Sequence, residues 1–174
     1  MKHSYPIFLM GYMTSGKSSL GKKLAKHFDV DFIDLDRYLE KQEQLTISEI
    51  FQHKGEAYFR EAEAKALRQF PKDQKVVIAL GGGTPCHHEN INFIKETGTS
   101  IYLDIATSTL IGRLREKKAK RPLVANLKDE EISHFVENQI SQRTPYYQQA
   151  DIIISSTSKP KVDSLVKALF LDQN

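Results

Sequence analysis

The chain has 174 residues, of which 40% are hydrophobic and 27% charged, with one cysteine and a formal net charge of +3. Its longest apolar runs fall far short of the ~20 residues that a membrane-spanning helix requires, and one cysteine excludes an internal disulfide bond. We therefore expect one domain over residues 1–174, located in the reducing cytoplasm, with neither a membrane nor a nucleic acid as partner.

Short apolar runs alternate with segments of helical periodicity along the whole chain. We predict strands at residues 7–10, 31–33, 76–80, 100–103 and 151–154. Helices are predicted at residues 17–28, 35–43, 56–70, 89–96, 108–118, 129–148 and 161–171. A further helix begins after Thr46, in a capping box with Glu49, and is broken or kinked at Gly55. The alternation predicts the α/β class, as a three-layer αβα sandwich around a five-stranded parallel sheet.

The first predicted strand leads into a glycine-containing loop that fits the phosphate-binding pattern G-x-x-x-x-G-K-[ST]. A chance match is disfavoured, because the loop lies between a strand and a helix, as the motif requires. Lys17 can reach the β- and γ-phosphates of a nucleotide, and the Ser18 hydroxyl can hold Mg²⁺. We expect these residues to bind ATP: Thr14, Ser15, Gly16, Lys17, Ser18 and Ser19.

Two carboxylates, Asp34 and Asp36, follow the second predicted strand. Aspartate is a good helix N-cap, so either residue can serve only to begin the helix at residues 35–43. Beside a phosphate loop, one carboxylate can instead hold a water of the magnesium shell while the other faces a substrate hydroxyl. The proximity of the loop favours this second interpretation.

The segment around Arg60 gives little evidence of a functional site, whereas the three glycines at residues 81–83 give more. Arg60 lies on a predicted helix with glutamates at salt-bridge spacing, so this segment alone does not distinguish it from a surface arginine. Three glycines, however, weaken a strand end unless something approaches the backbone closely. We expect a small substrate to bind the N–H near Gly82. Since this strand ends without an acidic residue, Asp34 is left to supply the metal-shell carboxylate.

Six of the nine residues from 113 to 121 are Lys or Arg. Such a run fits either a solvated helix face or a site for a polyanion such as ATP. Apolar periodicity is lost after residue 118 and Pro122 follows, so we expect a mobile lid over about residues 113–128. Its Arg121 can close over the γ-phosphate. Arg143 lies near the end of a long predicted helix, where an arginine often does no more than satisfy the helix dipole.

Taken together, these motifs resemble the shikimate kinases in order and spacing over nearly the whole chain. The matching motifs are the phosphate loop, FIDLDRYLE, IFQHKGEAYFREAE, LGGGTP, RPL and QRTPYY. The resemblance implies a P-loop fold of the nucleoside monophosphate kinase type, with a substrate-binding segment at about residues 34–62. It also implies a monomer that transfers a phosphoryl group from Mg·ATP to the 3-hydroxyl of shikimate, a step of aromatic amino-acid biosynthesis.

The same resemblance implies roles for residues that the local patterns left open. Asp36 matches the aspartate that contacts the ring hydroxyls and is the candidate base, and Asp34 matches the aspartate associated with Mg²⁺. Arg60 and Arg143 match the two arginines that hold the shikimate carboxylate, a task suited to guanidinium groups. Gly82 matches the glycine whose backbone N–H meets the substrate.

On the nucleotide side, Arg121 matches the lid arginine that reaches the phosphates. A second lid arginine stacks on adenine in the family; the spacing allows Arg113 or Arg115, and we favour Arg113. The chain has Ser19 where the family often has threonine. Two alternatives remain: another small-molecule kinase, for gluconate or a nucleoside monophosphate, or a regulatory protein that has lost turnover.

Overall fold

The computed structural model describes residues 4–116, 128–157 and 161–170. Its strands are β1 Ile7–Met10, β2 Asp31–Asp34, β3 Val76–Ala79, β4 Thr99–Ile105 and β5 Ile152–Ser156. Its α-helices are α1 Lys17–Phe28, α2 Leu35–Glu43, α3 Ile47–Leu67, α4 Asn90–Thr97, α5 Thr107–Glu116, α6 Asp129–Tyr147 and α7 Val162–Phe170. A single 3₁₀ turn, Thr84–Cys86, follows β3 and was not predicted.

The five strands form one sheet in the order β2-β3-β1-β4-β5, and every neighbouring pair is parallel. β1 and β3 lie in the interior of the sheet, and every residue of both strands is buried. This explains why their sequences are continuously apolar rather than alternating. The predicted parallel sheet is confirmed, with β1 flanked by β3 on one side and β4 on the other.

Helices cover both faces of the sheet, which confirms the predicted three layers. Alternate residues of β1 point to opposite faces: Phe8 packs in a cluster with α2, α3 and α4, whereas Leu9 packs with α1 and α7. A third, smaller cluster joins α5 and α6 around Tyr12 of the loop that follows β1. The phosphate loop therefore lies between the sheet and the α5–α6 pair.

Most element boundaries agree with the sequence prediction to within two residues, although α3 ends at Leu67 rather than at residue 70. The capping box at the start of α3 is present, since Thr46 Oγ1 accepts from the Glu49 N–H at 3.2 Å and Glu49 Oε2 accepts from the Thr46 N–H at 2.7 Å. Gly55, with φ 80° and ψ 170°, kinks α3 as predicted. β5 begins one residue later than predicted, because the Asp151 N–H donates to the Ser100 hydroxyl instead of to a backbone carbonyl of β4.

The predicted lid lies mainly outside the described residues. Only the end of α5 and Lys128 belong to the described part of the segment at 113–128, and Arg121 is not among them. No helix in the described ranges is both long enough and apolar enough to cross a membrane.

The connection between α4 and β4 generates a test of the packing. A Cβ atom built on Gly98 would lie 2.0 Å from the backbone oxygen of Pro6, which cannot move without displacing the chain before β1. We expect Gly98→Ala to destabilise the protein by about 3 kcal/mol, measured by urea unfolding. Gly112→Ala is the control, because nothing lies within 4 Å of its Cβ position in α5. It should be neutral or stabilising by up to about 1 kcal/mol. Equal stability of the two variants would contradict this account.

Candidate active site

The loop between β1 and α1 is shaped to receive an anion. Gly16 adopts a left-handed conformation (φ 102°) directly before α1, and no side chain caps the first turn of that helix. Uncapped N–H groups and the positive end of the helix dipole favour an anionic ligand at this point. The hydroxyl of Ser15 is buried without a hydrogen-bond partner among the described residues. A phosphate oxygen suits these donors.

Lys17 is folded back over this loop. Its ammonium donates to the carbonyl oxygens of Gly11 and Tyr12 at 2.8 and 2.9 Å, and the residue is buried. These two bonds hold a positive charge at the mouth of the loop. These bonds explain how a long, flexible side chain is kept at the loop, and its contact with the β- and γ-phosphates stays a prediction.

A hydrogen bond joins the first turn of α1, which contains Ser18, to the end of β2, which is Asp34. The Ser18 hydroxyl donates to Asp34 Oδ2 at 2.6 Å, while Asp34 Oδ1 accepts from the Arg37 N–H at 3.4 Å at the start of α2. Asp34 therefore is a helix cap and also faces the phosphate loop, so the two interpretations of this residue are compatible. A hydroxyl and a carboxylate beside a phosphate site are oxygen ligands of the kind that Mg²⁺ takes.

The glycine triplet at residues 81–83 allows side chains from other elements to approach the backbone. A Cβ atom on Gly81 would lie 2.8 Å from oxygens of both Asp36 and Glu63. One on Gly83 would lie 2.8 Å from Arg60 Nη1. Real Cβ atoms do not sit this close to other heavy atoms, so a side chain at either position would have to displace these charged groups. Protein side chains thus approach Gly81 and Gly83, while the predicted approach of a substrate to the N–H near Gly82 stays a prediction.

Arg143 reaches the middle of the triplet from α6. A Cβ atom on Gly82 would lie 3.1 Å from Arg143 Nη1. The guanidinium also lies over the ring of Tyr12, 5.5 Å from its centroid, and the Tyr12 hydroxyl donates to Gln139 of α6. Cation–π contact of this kind orients an arginine without neutralising it. Arg143 makes no ion pair with any carboxylate in the described ranges.

Arg60 is held by carboxylates on its own helix. It contacts Glu56 Oε1 at 3.2 Å and Glu63 Oε2 at 3.1 Å, the spacings that the sequence offered. Glu63 is not an ordinary surface partner, because it is almost fully buried and also accepts from the Thr84 hydroxyl at 2.5 Å. Burial raises the pKa of Glu63, and the bonds from Thr84 and Arg60 oppose that rise.

Sequence reasoning gave Glu63 no role in the site beyond that of a surface partner. Its spacing carried a signal, since Glu63 lies one turn after Phe59 and one turn before Leu67, and both are buried apolar residues of α3. A charged residue on the buried face of a helix needs a partner, and Arg60 and Thr84 supply it.

Asp36 lies between the phosphate loop and the arginines. Burial raises the pKa of Asp36 to about 6, with further contributions from the carboxylates of Glu63 and Asp34, while Lys17 acts in the opposite direction. A carboxylate with this pKa is ionised at neutral pH but accepts a proton more readily than an exposed one. This suits a group that receives the proton of a hydroxyl.

The two candidate adenine-side arginines point to different neighbours. Arg113 Nη1 donates to the carbonyl oxygen of Thr14 at 3.0 Å, so its side chain lies against the phosphate loop. Arg115 Nη2 donates to the Ser133 hydroxyl on α6 at 3.2 Å. The geometry favours Arg113 as the residue nearer a nucleotide. Ser19 is exposed on the first turn of α1.

Cationic and N–H donors thus line both ends of the site, with the carboxylates of Asp36 and Glu63 close to Gly81 between them. The phosphate loop can receive a triphosphate, and the two guanidinium groups can receive a carboxylate on a second molecule. Asp36, close to Gly81 and within electrostatic reach of Lys17, can accept a hydrogen bond from a hydroxyl of that second molecule. The arrangement fits phosphoryl transfer to a small, hydroxylated carboxylic acid.

Comparisons with known proteins agree with this chemistry. A family model described as "Shikimate kinase" matches residues 13–171. A shikimate kinase of Bacteroides fragilis is 42% identical over 147 residues, which cover 84% of this chain and 82% of that protein.

Solved structures give the same result. A shikimate kinase from Bacteroides thetaiotaomicron superposes with a TM-score of 0.86 at 36% identity, covering 96% of this chain and 95% of the other. One from Acinetobacter baumannii, in complex with shikimate, gives 0.85 at 27% identity and covers 96% and 93%.

The environment of Asp36 generates a test of stability against pH. Because the folded state raises this pKa above its ordinary value of 3.8, ionised Asp36 destabilises the fold increasingly as the pH rises from about 4 through 6. We expect Asp36→Asn to be more stable than the parent by about 2 kcal/mol at pH 8, and the gain to vanish near pH 4. Urea unfolding across this range measures it.

The matched control is Asp31→Asn, which removes an exposed carboxylate from the same strand–helix segment and should change little. A stability gain in Asp36→Asn that stays constant from about pH 4 to pH 8 would contradict the assigned cause.

Proposed function

This chain belongs to the shikimate kinase family, and we propose how its residues divide the work of phosphorylating shikimate with ATP in aromatic biosynthesis. The observation that carries the proposal is the convergence of Asp36, Arg60 and Arg143 on the glycine triplet beside the phosphate loop. Glu63 is engaged there by Arg60 and Thr84, so Asp36 and the two guanidinium groups match an acceptor with a hydroxyl at one end and a carboxylate at the other.

The phosphate loop binds the triphosphate of ATP. The donors are the backbone and side chains of Thr14, Ser15, Gly16, Lys17, Ser18 and Ser19. We assign Lys17 to the β- and γ-phosphates, and the two loop carbonyls that hold its ammonium at the loop support this role. Ser18 and Asp34 hold the metal ion, for which we propose Mg²⁺ on the basis of the hydroxyl and carboxylate donors. When bound, the ion neutralises charge on the phosphate oxygens.

The acceptor is oriented by both ends of its ring. Arg60 and Arg143 bind the shikimate carboxylate, and the Gly82 N–H donates to the same molecule. Arg143 is supported in this role by its position over the Tyr12 ring and the absence of a carboxylate partner in the described ranges. Asp36 accepts the hydrogen bond of the 3-hydroxyl and takes its proton as the phosphoryl group transfers, which the pKa of about 6 allows.

Two arginines complete the nucleotide side. We assign Arg113 to the adenine side of ATP, and its bond to the Thr14 carbonyl supports that location. Arg121 lies outside the described residues, and we assign it to the phosphates from the RPL motif of the lid. Its guanidinium would add positive charge at the transferred phosphoryl group, where such groups stabilise the transition state.

We also propose that the chain works as a monomer in the cytoplasm. All the residues assigned above belong to a single chain, so a partner subunit is not needed to complete the site. The one cysteine, Cys86, is compatible with a reducing compartment.

The first experiment measures ATP consumption by the purified chain with a panel of acceptors. We expect turnover with shikimate only in the presence of Mg²⁺, and none with gluconate or nucleoside monophosphates. Lys17→Met is the catalytic blank, because it removes the cation at the phosphates. Turnover with another acceptor would contradict the roles of Arg60 and Arg143. Intact ATP binding without turnover on any acceptor would favour a regulatory protein instead.

The role of Arg60 generates a kinetic prediction. A charge-assisted hydrogen bond contributes about 1.5–3 kcal/mol, so Arg60→Ala should raise the KM for shikimate by about 10- to 100-fold. The KM for ATP should stay nearly constant, because Arg60 contacts α3 and the glycine triplet rather than the phosphate loop.

Lys65→Ala is the matched control for that experiment. This variant removes an exposed cation of α3 that pairs with Glu61. It should leave the KM for shikimate and the KM for ATP unchanged. An equal rise in the KM for ATP and for shikimate in Arg60→Ala would show a general loss of structure rather than a lost carboxylate contact.

A further inference from the structure

One face of α6 connects the phosphate loop with the glycine triplet. Gln139, Arg143 and Tyr147 are spaced four residues apart and therefore lie on the same side of the helix. Gln139 accepts from the Tyr12 hydroxyl, and Arg143 lies over the Tyr12 ring and beside Gly82. Tyr147 ends the row, and the roles proposed above leave it unused.

Tyr147 makes a hydrogen bond to the triplet itself. Its hydroxyl donates to the carbonyl oxygen of Gly82 at 2.5 Å. The other two carbonyls of the triplet accept local turn bonds from residues three positions later. Gly81 O accepts from the Thr84 N–H at 3.2 Å, and Gly83 O accepts from the Cys86 N–H at 3.0 Å. Tyr147 thus supplies the one bond of the three that comes from a distant element.

The Gly82 N–H, unlike the three carbonyls of the triplet, is left available to a ligand. Within residues 4–116, 128–157 and 161–170, the Gly82 N–H has no acceptor. Because a peptide unit is planar and trans, fixing its carbonyl also fixes the direction of the adjoining N–H. The turn bond at Gly81 O therefore fixes the Gly82 N–H, and the Tyr147 bond at Gly82 O fixes the Gly83 N–H, so that the backbone of Gly82 is constrained on both sides.

The surroundings of Tyr147 make this bond rigid. Its side chain is fully buried and stacks on Tyr102, with ring centroids 4.9 Å apart and an interplanar angle of 28°. Burial raises the pKa of Tyr147, so its hydroxyl stays protonated and remains a donor at working pH. Glycine has more backbone freedom than any other residue, so an external bond of this kind limits motion that a glycine triplet would otherwise retain.

We propose that Tyr147 is a positioning residue for the acceptor, and that its bond to the Gly82 carbonyl holds the Gly82 backbone in the orientation that receives shikimate. The inference rests on the proposed function, in which the Gly82 N–H donates to that acceptor. A contact made equally in the bound substrate and in the transition state alters KM rather than kcat.

The test compares Tyr147→Phe with Tyr102→Phe. Each variant loses one hydroxyl from the same pair of stacked rings, but the Tyr102 hydroxyl donates to Asp104 instead of the triplet. We expect Tyr147→Phe to raise the KM for shikimate by about three- to tenfold, the value of one neutral hydrogen bond. Its kcat and its KM for ATP should stay within about twofold, and Tyr102→Phe should match the parent in all three constants.

A second readout does not depend on turnover. In ¹⁵N-labelled protein without ligand, the Gly82 and Gly83 amide signals should shift and exchange faster in Tyr147→Phe, while those of the phosphate loop should not. A parent chain that fails to turn over shikimate would reject the proposed function, and the amide signals would still test the Tyr147 bond. Unchanged KM and amide signals in Tyr147→Phe would overturn the inference, as would an equal KM rise in Tyr102→Phe.

Discussion

The close approach of side chains to the backbone of residues 81–83 is the contact on which the rest of the site depends. Asp36 from α2, Arg60 from α3 and Arg143 from α6 meet there, although they are far apart in sequence. A parallel sheet brings the carboxyl ends of its strands to one edge, so the phosphate loop lies beside the same point. Without side chains of their own, these residues leave room for four charged groups, Glu63 included, against one strand end.

The two arginines at this edge differ in how their charges are compensated. Arg60 is neutralised by Glu56 and the buried Glu63, which fixes its direction, whereas Arg143 rests on an aromatic ring that leaves its charge available. Asp36 is ionised at neutral pH although burial and the neighbouring carboxylates disfavour its charge and raise its pKa. Such a site is less stable than its apolar equivalent would be, and the large sheet core supports it.

Local pattern was sufficient for some parts of this structure and insufficient for others. The bounds of α1 and α2 were predicted to the residue, because apolar spacing and loop chemistry both change at those points. Arg60 could not be separated from a surface arginine by its own segment, since its neighbour Gly83 is more than twenty positions away. The same holds for Tyr147, whose partner Gly82 is 65 residues distant. The family resemblance supplied Arg60, but the bond of Tyr147 required the fold.

The glycine triplet also bears on how this protein can respond to inhibitors. Resistance usually arises when a side chain that contacts an inhibitor is exchanged for another, but residues 81–83 have no side chain to exchange. Any substitution at Gly81 or Gly83 brings a Cβ atom within 2.8 Å of a group that the site uses. A compound that takes its affinity from the partly exposed backbone of Gly82 would therefore bind between two positions where any side chain must displace Asp36, Glu63 or Arg60.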